Sequence, residues 1–271
     1  MTEKTRLLGI LVGMMMVASY ASAYTVDGSL SDWGITPFTD WTPDSPTAEC
    51  QVHDYDGTNP IDNPSPYPDS PYGGELFDIE MMCFDDAPGM AYFASVVSMG
   101  PNGYGSFSMG DLALDLDSNP STGMLGYEYG IKINGSNRGD ICYLPKWHNA
   151  TDIKPNSPAY FTCDGPGSVL KGEKATVKYV DAGIKDYPAG CTSGPHCTHN
   201  YIIEVGVKKS LIGLPEGDSG PIHMTQNCGN DDIHLWIDWD YQLPEFVSAA
   251  VPLLILIGAP TAAFVLVRKK K

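Results

Sequence analysis

Apolar and polar residues alternate with period two over much of the chain, the signature of half-buried strands. Phe77, Ile79, Met81 and Cys83 share one face of a predicted strand, with Asp78 and Glu80 on the other. Ala91–Val97 is a continuous apolar run, which suits a strand covered on both faces. In Asp111–Asp117 the alternation is clean: Leu112, Leu114 and Leu116 face inward, while Asp111, Asp115 and Asp117 share the opposite face. Tyr127, Tyr129, Ile131 and Ile133 repeat the signal, as do Tyr201, Ile203, Val205 and Val207, and then Ile233, Leu235 and Ile237. Shorter strands are predicted at Gln51–Tyr55, Ile141–Leu144, Ala175–Val180 and Ile222–Thr225. The rest of Trp41–Gly74 is a long surface loop, because Pro60, Pro64, Pro66, Pro68 and Pro71 exclude helix and central strand. Lys208–Leu214 reads as a single helical turn. About nine or ten strands with Gly- and Pro-rich connections predict a mainly β protein, an antiparallel β-sandwich.

The two ends follow other patterns. Val247–Val267 carries no charge and precedes Arg268, Lys269, Lys270 and Lys271. Twenty-one helical residues would extend about 31 Å, the thickness of a bilayer's hydrocarbon core. At the other end Lys4 and Arg6 precede an apolar core, Leu7–Val17, and a small-residue site, Ala21-Ser22-Ala23. That order predicts a secretory signal peptide over residues 1–23, with Tyr24 opening the mature chain. The expected organisation is therefore a signal peptide at 1–23, a β-sandwich ectodomain at 24–243, and a transmembrane segment with a basic tail at 244–271. The basic cluster stays inside, so the body faces outward at the cell surface.

Charge narrows the partners. The chain has 33 acidic and 16 basic residues; without the two acids and six bases of the terminal segments, 31 acids face 10 bases. Such a body repels nucleic acid and anionic membrane surfaces and favours cations, basic partners or neutral ligands. Seven cysteines on an exported chain read as a disulfide set with one left over. Cys191 with Cys197, Cys142 with Cys163, and Cys50 with Cys83 are the expected pairs, leaving Cys228, although spacing alone does not fix the pairing.

Two stretches resemble known families. Pro244-Glu245-Phe246, followed by the apolar segment and the basic cluster, resembles the PEF-CTERM sorting signal of archaeal surface proteins. The resemblance implies an archaeosortase-like processing enzyme as a partner and transfer of the body to another anchor. Val26-Asp27-Gly28-Ser29-Leu30-Ser31-Asp32-Trp33 is similar to the opening of family 9 carbohydrate-binding modules and related DOMON-like domains. Gly73-Gly74, Phe77–Glu80, Gly110–Asp115, Glu204 and Cys228–Asp231 follow in the order of such relatives. That resemblance implies a jelly-roll-like sandwich, often with structural calcium and sometimes with a sugar-binding slot built of paired aromatics.

Several residues carry candidate chemistry. Asp115, Asp117 and Asn119 place oxygen ligands at alternate positions running into a turn, a set suited to Ca²⁺. Asp78 and Glu80, with Asp231 or Asp54 and Asp56 nearby, form a second candidate calcium site. The bland alternative is solvated acids on an acidic protein. Trp236 lies opposite the inward face of its strand and, with Trp239, could stack on a sugar ring; packing on a second covered face is the alternative. Cys191, His196, Cys197 and His199 have soft-metal ligand types, but a disulfide loop competes for the thiols. His223 and His234 are isolated and read as ordinary surface or packing residues. Asn134-Gly135-Ser136 and Asn149-Ala150-Thr151 are N-glycosylation sequons. No pair of carboxylates is singled out for hydrolysis, and no nucleophile triad or phosphate-binding loop is present. The expectation is a non-catalytic, surface-anchored cell-envelope or adhesion module, in contact with surface glycans or envelope proteins. Its alternatives are a lectin-like carbohydrate-binding domain and a secreted glycoside hydrolase.

Overall fold

The computed structural model describes residues 24–36, 41–45, 47–52, 75–150, 157–184, 199–213 and 219–239. The chain divides into two units, Met1–Asp240 and Tyr241–Lys271, and every described residue belongs to the first. The expected signal peptide, the apolar tail, Pro244-Glu245-Phe246 and the Cys191/Cys197 pair lie outside the described residues. Among the described residues, no helix is long and apolar enough to cross a membrane.

The described chain is mainly β, and every strand pairing is antiparallel. The first larger sheet contains β1 (Glu49–Val52), β2 (Ile79–Ala87), β3 (Met90–Val97), β10 (Thr176–Ile184) and β11 (His199–Lys208), in the order β1-β2-β3-β11-β10. The second contains β4 (Leu112–Leu114), β5 (Tyr129–Ile131), β6 (Ile141–Tyr143), β9 (Val169–Leu170), β12 (Ser219–Thr225) and β13 (Asp232–Asp238), in the order β13-β12-β4-β5-β6-β9. A separate hairpin pairs β7 (Lys146–Asn149) with β8 (Pro158–Thr162). One short helix, α1 (Lys209–Ile212), matches the single helical turn expected there.

The largest core joins the inner faces of both larger sheets. Ile79, Met82, Phe84 and Phe93 from the first meet Leu112, Leu114, Ile131, Ile222 and Ile233 from the second. The expected β2 face is split. A bulge at Glu80 shifts the pairing from Ile79↔Val97 to Met81↔Val96, and one extra residue exchanges the two faces beyond it. Ile79, Met82 and Phe84 therefore point into the inter-sheet core, while Met81 and Cys83 point the other way.

That other face is covered too. Tyr24, Leu30, Trp33, Ile35 and Trp41 pack on Met81, Cys83, Tyr92, Ala94, Val96 and Ile202. The cover is pinned by Glu204 on β11, whose Oε2 accepts the Asp27 N–H at 3.1 Å and the Gly28 N–H, while Trp33 Nε1 donates to Oε1 at 3.3 Å. β2 and β3 are consequently buried on both faces, as the apolar run at Ala91–Val97 predicts.

The outer face of the second sheet is covered only in part. Trp147 and Phe161 of the β7–β8 hairpin pack on Ala113, Tyr127 and Cys142. Gly130 permits this approach: a side chain there would meet the Phe161 ring at 2.6 Å. Asp111 holds the hairpin in place. Its Oδ2 accepts the Phe161 N–H at 3.0 Å and lies 2.7 Å from Lys132 Nζ. Two disulfides match the expected pairs. Cys50–Cys83 joins β1 to β2, and Cys142–Cys163 joins β6 to the residue after β8. Cys228 is buried in the inter-sheet core and belongs to neither bridge.

Candidate functional site

The uncovered part of the second sheet's outer face carries the chemistry. Pro221 lies opposite Trp236, and the Asp115 N–H donates to the Pro221 carbonyl at 2.9 Å. The β4–β5 register, Leu114↔Tyr129, extends to bring Glu128 opposite Asp115. Trp236, Pro221, Asp115 and Glu128 thus form one row across four strands.

At the β4–β5 end of this row, Asp115, Asp117 and Glu128 bring carboxylate oxygens within 4.8 Å of one another. The loop between the strands holds them there. Asp115 Oδ1 accepts the Asp117 N–H at 3.2 Å, and Asp117 Oδ1 accepts the Asn119 N–H at 2.9 Å. Thr122 Oγ1 donates to Asp117 Oδ2 at 2.6 Å. Ser118 takes the left-handed conformation, with φ 52°, to turn the chain between these bonds. Gly123 closes the loop at φ 64°, where a Cβ would lie 2.4 Å from the Tyr127 carbonyl oxygen.

Glu128 is the unusual member. It is only 6% exposed, and its Oε2 accepts the Leu116 N–H at 2.9 Å. Its Oε1 is buried with no hydrogen-bond partner. Burial, reinforced by the charges of Asp117 and Asp115, pushes its carboxyl up to about 7. Burial likewise raises the Asp115 carboxyl, with the Asp117 charge adding to it. Three acids crowd together, and one buried carboxylate oxygen among them is left without a donor. All the donors are oxygens, so the set fits a hard divalent cation such as Ca²⁺, with further oxygens drawn from backbone or water.

A shallow cleft of about 340 Å³ opens beside the loop, with Gly123, Met124, Leu144, Pro145 and Pro166 among its walls. The Leu144 N–H donates to the Glu128 carbonyl at 2.7 Å, which joins the cleft to the acidic cluster.

Other expected site residues are placed differently. Asn119 is exposed and stands outside the cluster; its Oδ1 accepts the Ser121 N–H at 3.0 Å, so its side chain serves the turn. Asp78 and Glu80 form no second cluster with other ligand-type side chains among the described residues, and Asp54 and Asp56 lie outside them. The bulge buries Glu80 against Asn200, whose Nδ2 donates to Oε1 at 2.6 Å, and Asp231 Oδ2 accepts the Ile79 N–H at 2.8 Å. Trp236 is 63% exposed, on the face opposite Ile233, Leu235 and Ile237 as expected. Trp239 is a core residue, edge-on to Phe84 with ring centroids 5.0 Å apart, and it is not offered to a ligand. His223 and His234 are not isolated. They are direct cross-strand partners with ring centroids 4.2 Å apart. Asn134 is half-buried with both side-chain amide atoms enclosed, and Asn149 lies on β7 with its Oδ1 enclosed.

Glu128 is the site residue that periodicity alone does not single out. Its signal was present in the polar side of the Tyr127–Ile133 alternation, but only strand register brings it to Asp115. No family model matches the chain, and neither a curated protein nor a solved structure does.

Proposed function

We propose that this chain is an exported, non-catalytic binding module, a jelly-roll-like antiparallel β-sandwich held at the cell surface and organised on one outer face by calcium. The observation that carries the reading is the row Trp236–Pro221–Asp115–Glu128, with an exposed indole at one end and an all-oxygen cluster at the other. An aromatic platform near a cation and a cleft suits recognition of a polar, neutral ligand at the envelope. The two disulfides agree with an oxidising, extracellular setting. The signal peptide, the apolar tail and Pro244-Glu245-Phe246 support export, membrane attachment and processing by an archaeosortase-like enzyme.

The exposed Trp236 favours carbohydrate as the ligand, since an indole face stacks on a sugar ring while nearby oxygens take its hydroxyls. For a hydrolase, no carboxylate pair is singled out: the clustered acids instead accept N–H groups of their own loop, Glu128 from Leu116, Asp115 from Asp117 and Asp117 from Asn119. The test is a glycan array probed with the calcium-loaded protein. Retention on a defined glycan, lost in Trp236→Ala with the melting midpoint unchanged, supports the binding module. No retention on any glycan removes the carbohydrate version, and turnover of a glycan abolished by one carboxylate substitution overturns the non-catalytic reading.

A further inference from the structure

A second ligand set lies on the same outer face, one row from the calcium candidate, and its chemistry is different. His223 on β12 stands directly opposite His234 on β13, and Asp232 precedes His234 by two residues on the same face. One ligand atom from each of the three lies within 4.8 Å of the others. His234 Nε2 is 3.0 Å from Asp232 Oδ2. The site is graded in depth: His223 is fully buried, Asp232 is partly covered and His234 is about half exposed.

We propose that His223, His234 and Asp232 form a binding site for a borderline transition cation, Zn²⁺ or Cu²⁺. Two imidazoles and one carboxylate are the donor set such ions prefer, whereas Ca²⁺ takes oxygen donors. The support expected behind a metal-binding histidine is in place. The Ser157 hydroxyl is hydrogen-bonded to His223 Nε2 at 2.9 Å, which orients the ring. The Tyr127 ring, its centroid 5.9 Å from that of His223, packs beside it. Antiparallel pairing fixes the two histidines before any ion arrives, because residues directly opposite keep their Cβ atoms about 5 Å apart. His234 and Asp232 lie toward solvent, so an ion can enter without unfolding the sheet and can keep a water as a further ligand. The strongly acidic body draws cations to the face. The site stands independently of the calcium reading, since it shares no donor with the acidic cluster.

The experiment titrates Zn²⁺ alone into the full chain, stripped of transition metal and held in saturating Ca²⁺. The expected result is one equivalent bound, weakened more than about tenfold in His234→Ala and in Asp232→Asn. Both positions reach the surface, and an unchanged melting midpoint without Zn²⁺ confirms that each variant folds. With Cu²⁺ as the probe, electron paramagnetic resonance should show coupling to two imidazole nitrogens in the native chain and to one in His234→Ala. Zn²⁺ binding that survives both substitutions unchanged, or no binding by the native chain, overturns the proposal. The Ca²⁺ titration of the same variants should be unaltered, which separates this site's failure from that of the acidic cluster.

Discussion

Replacing Glu128 with Gln isolates the electrostatics of the acidic cluster. The substitution keeps an acceptor for the Leu116 N–H and removes a buried charge that Asp115 and Asp117 repel. The Glu128 carboxyl has its ordinary value of 4.5 when unfolded and about 7 when folded. Between those values the folded state holds the extra proton, so the stability this group supplies is complete below about pH 4.5 and is lost as pH rises through about 7. The full shift corresponds to roughly 3 kcal/mol as an upper bound. Without metal at pH 8, Glu128→Gln should therefore be more stable than the native chain by about 1–3 kcal/mol, or several degrees in melting midpoint. Glu204, buried under the N-terminal cover and also raised to about 7, contributes a slope of the same sign to both proteins and cancels in the difference. Calcium should reverse the order. At a hundred times its dissociation constant it would stabilise the native chain by about 2.7 kcal/mol, and the Gln variant, lacking the ligand charge, far less. Differential scanning calorimetry from pH 4.5 to 8, in chelator and in Ca²⁺, reads both effects. A Gln variant destabilised equally in chelator and in Ca²⁺ would refute the reasoning and leave Glu128 as an ordinary backbone acceptor.

Two further predictions concern the framework, and the glycan-array and Zn²⁺ tests complete the set. Cys142→Ala with Cys163→Ala opens a bridge spanning 21 residues and should cost about 3 kcal/mol in urea unfolding, with the β7–β8 hairpin loosened first. An unchanged midpoint would mean that the packing of Trp147 and Phe161, with Asp111 and Lys132, docks the hairpin without the bridge. Lys209 is buried against Asp86 and below the Trp239 ring, so Lys209→Met leaves a buried carboxylate without its cation and should cost about 3–5 kcal/mol. A loss below about 1 kcal/mol, measured by urea unfolding at neutral pH, would show that Asp86 takes up a proton or another donor at little cost.

Period-two patterning was enough to locate the strands that carry the cores. β3, β11 and β13 fall on the predicted runs because each buries at least one full alternate face. Short strands were harder. β7, β8 and β9 are too brief and mixed in polarity for alternation to register, yet β7 and β8 set the limit of the covered outer face. The bulge at Glu80 was invisible for another reason: one unpaired residue leaves the composition unchanged while exchanging the faces beyond it. At the site, Asp115 and Asp117 were legible from their own strand, whereas Glu128 and the His223–His234 pair depend on which strands become neighbours. Net charge also misled in part. Asp78, Glu80, Asp85, Asp86, Asp111, Asp115, Glu128, Glu204 and Asp231 are all buried, so a good share of the acidity is not solvated surface. Several of these acids accept backbone N–H groups, which composition has no means of indicating.

The cover over the first sheet reverses the order in which the chain is made. Glu204 takes the N–H groups of Asp27 and Gly28 across 177 and 176 residues, so the earliest segment of the body gains this backbone anchor only once β11 exists. The sheet itself is in the same position, because β3 finds its second neighbour only in β11. Contacts so distant in sequence make folding slow and leave apolar strands unpaired in the interval. Tyr24, Leu30, Trp33, Ile35 and Trp41 close over strands that must first find one another.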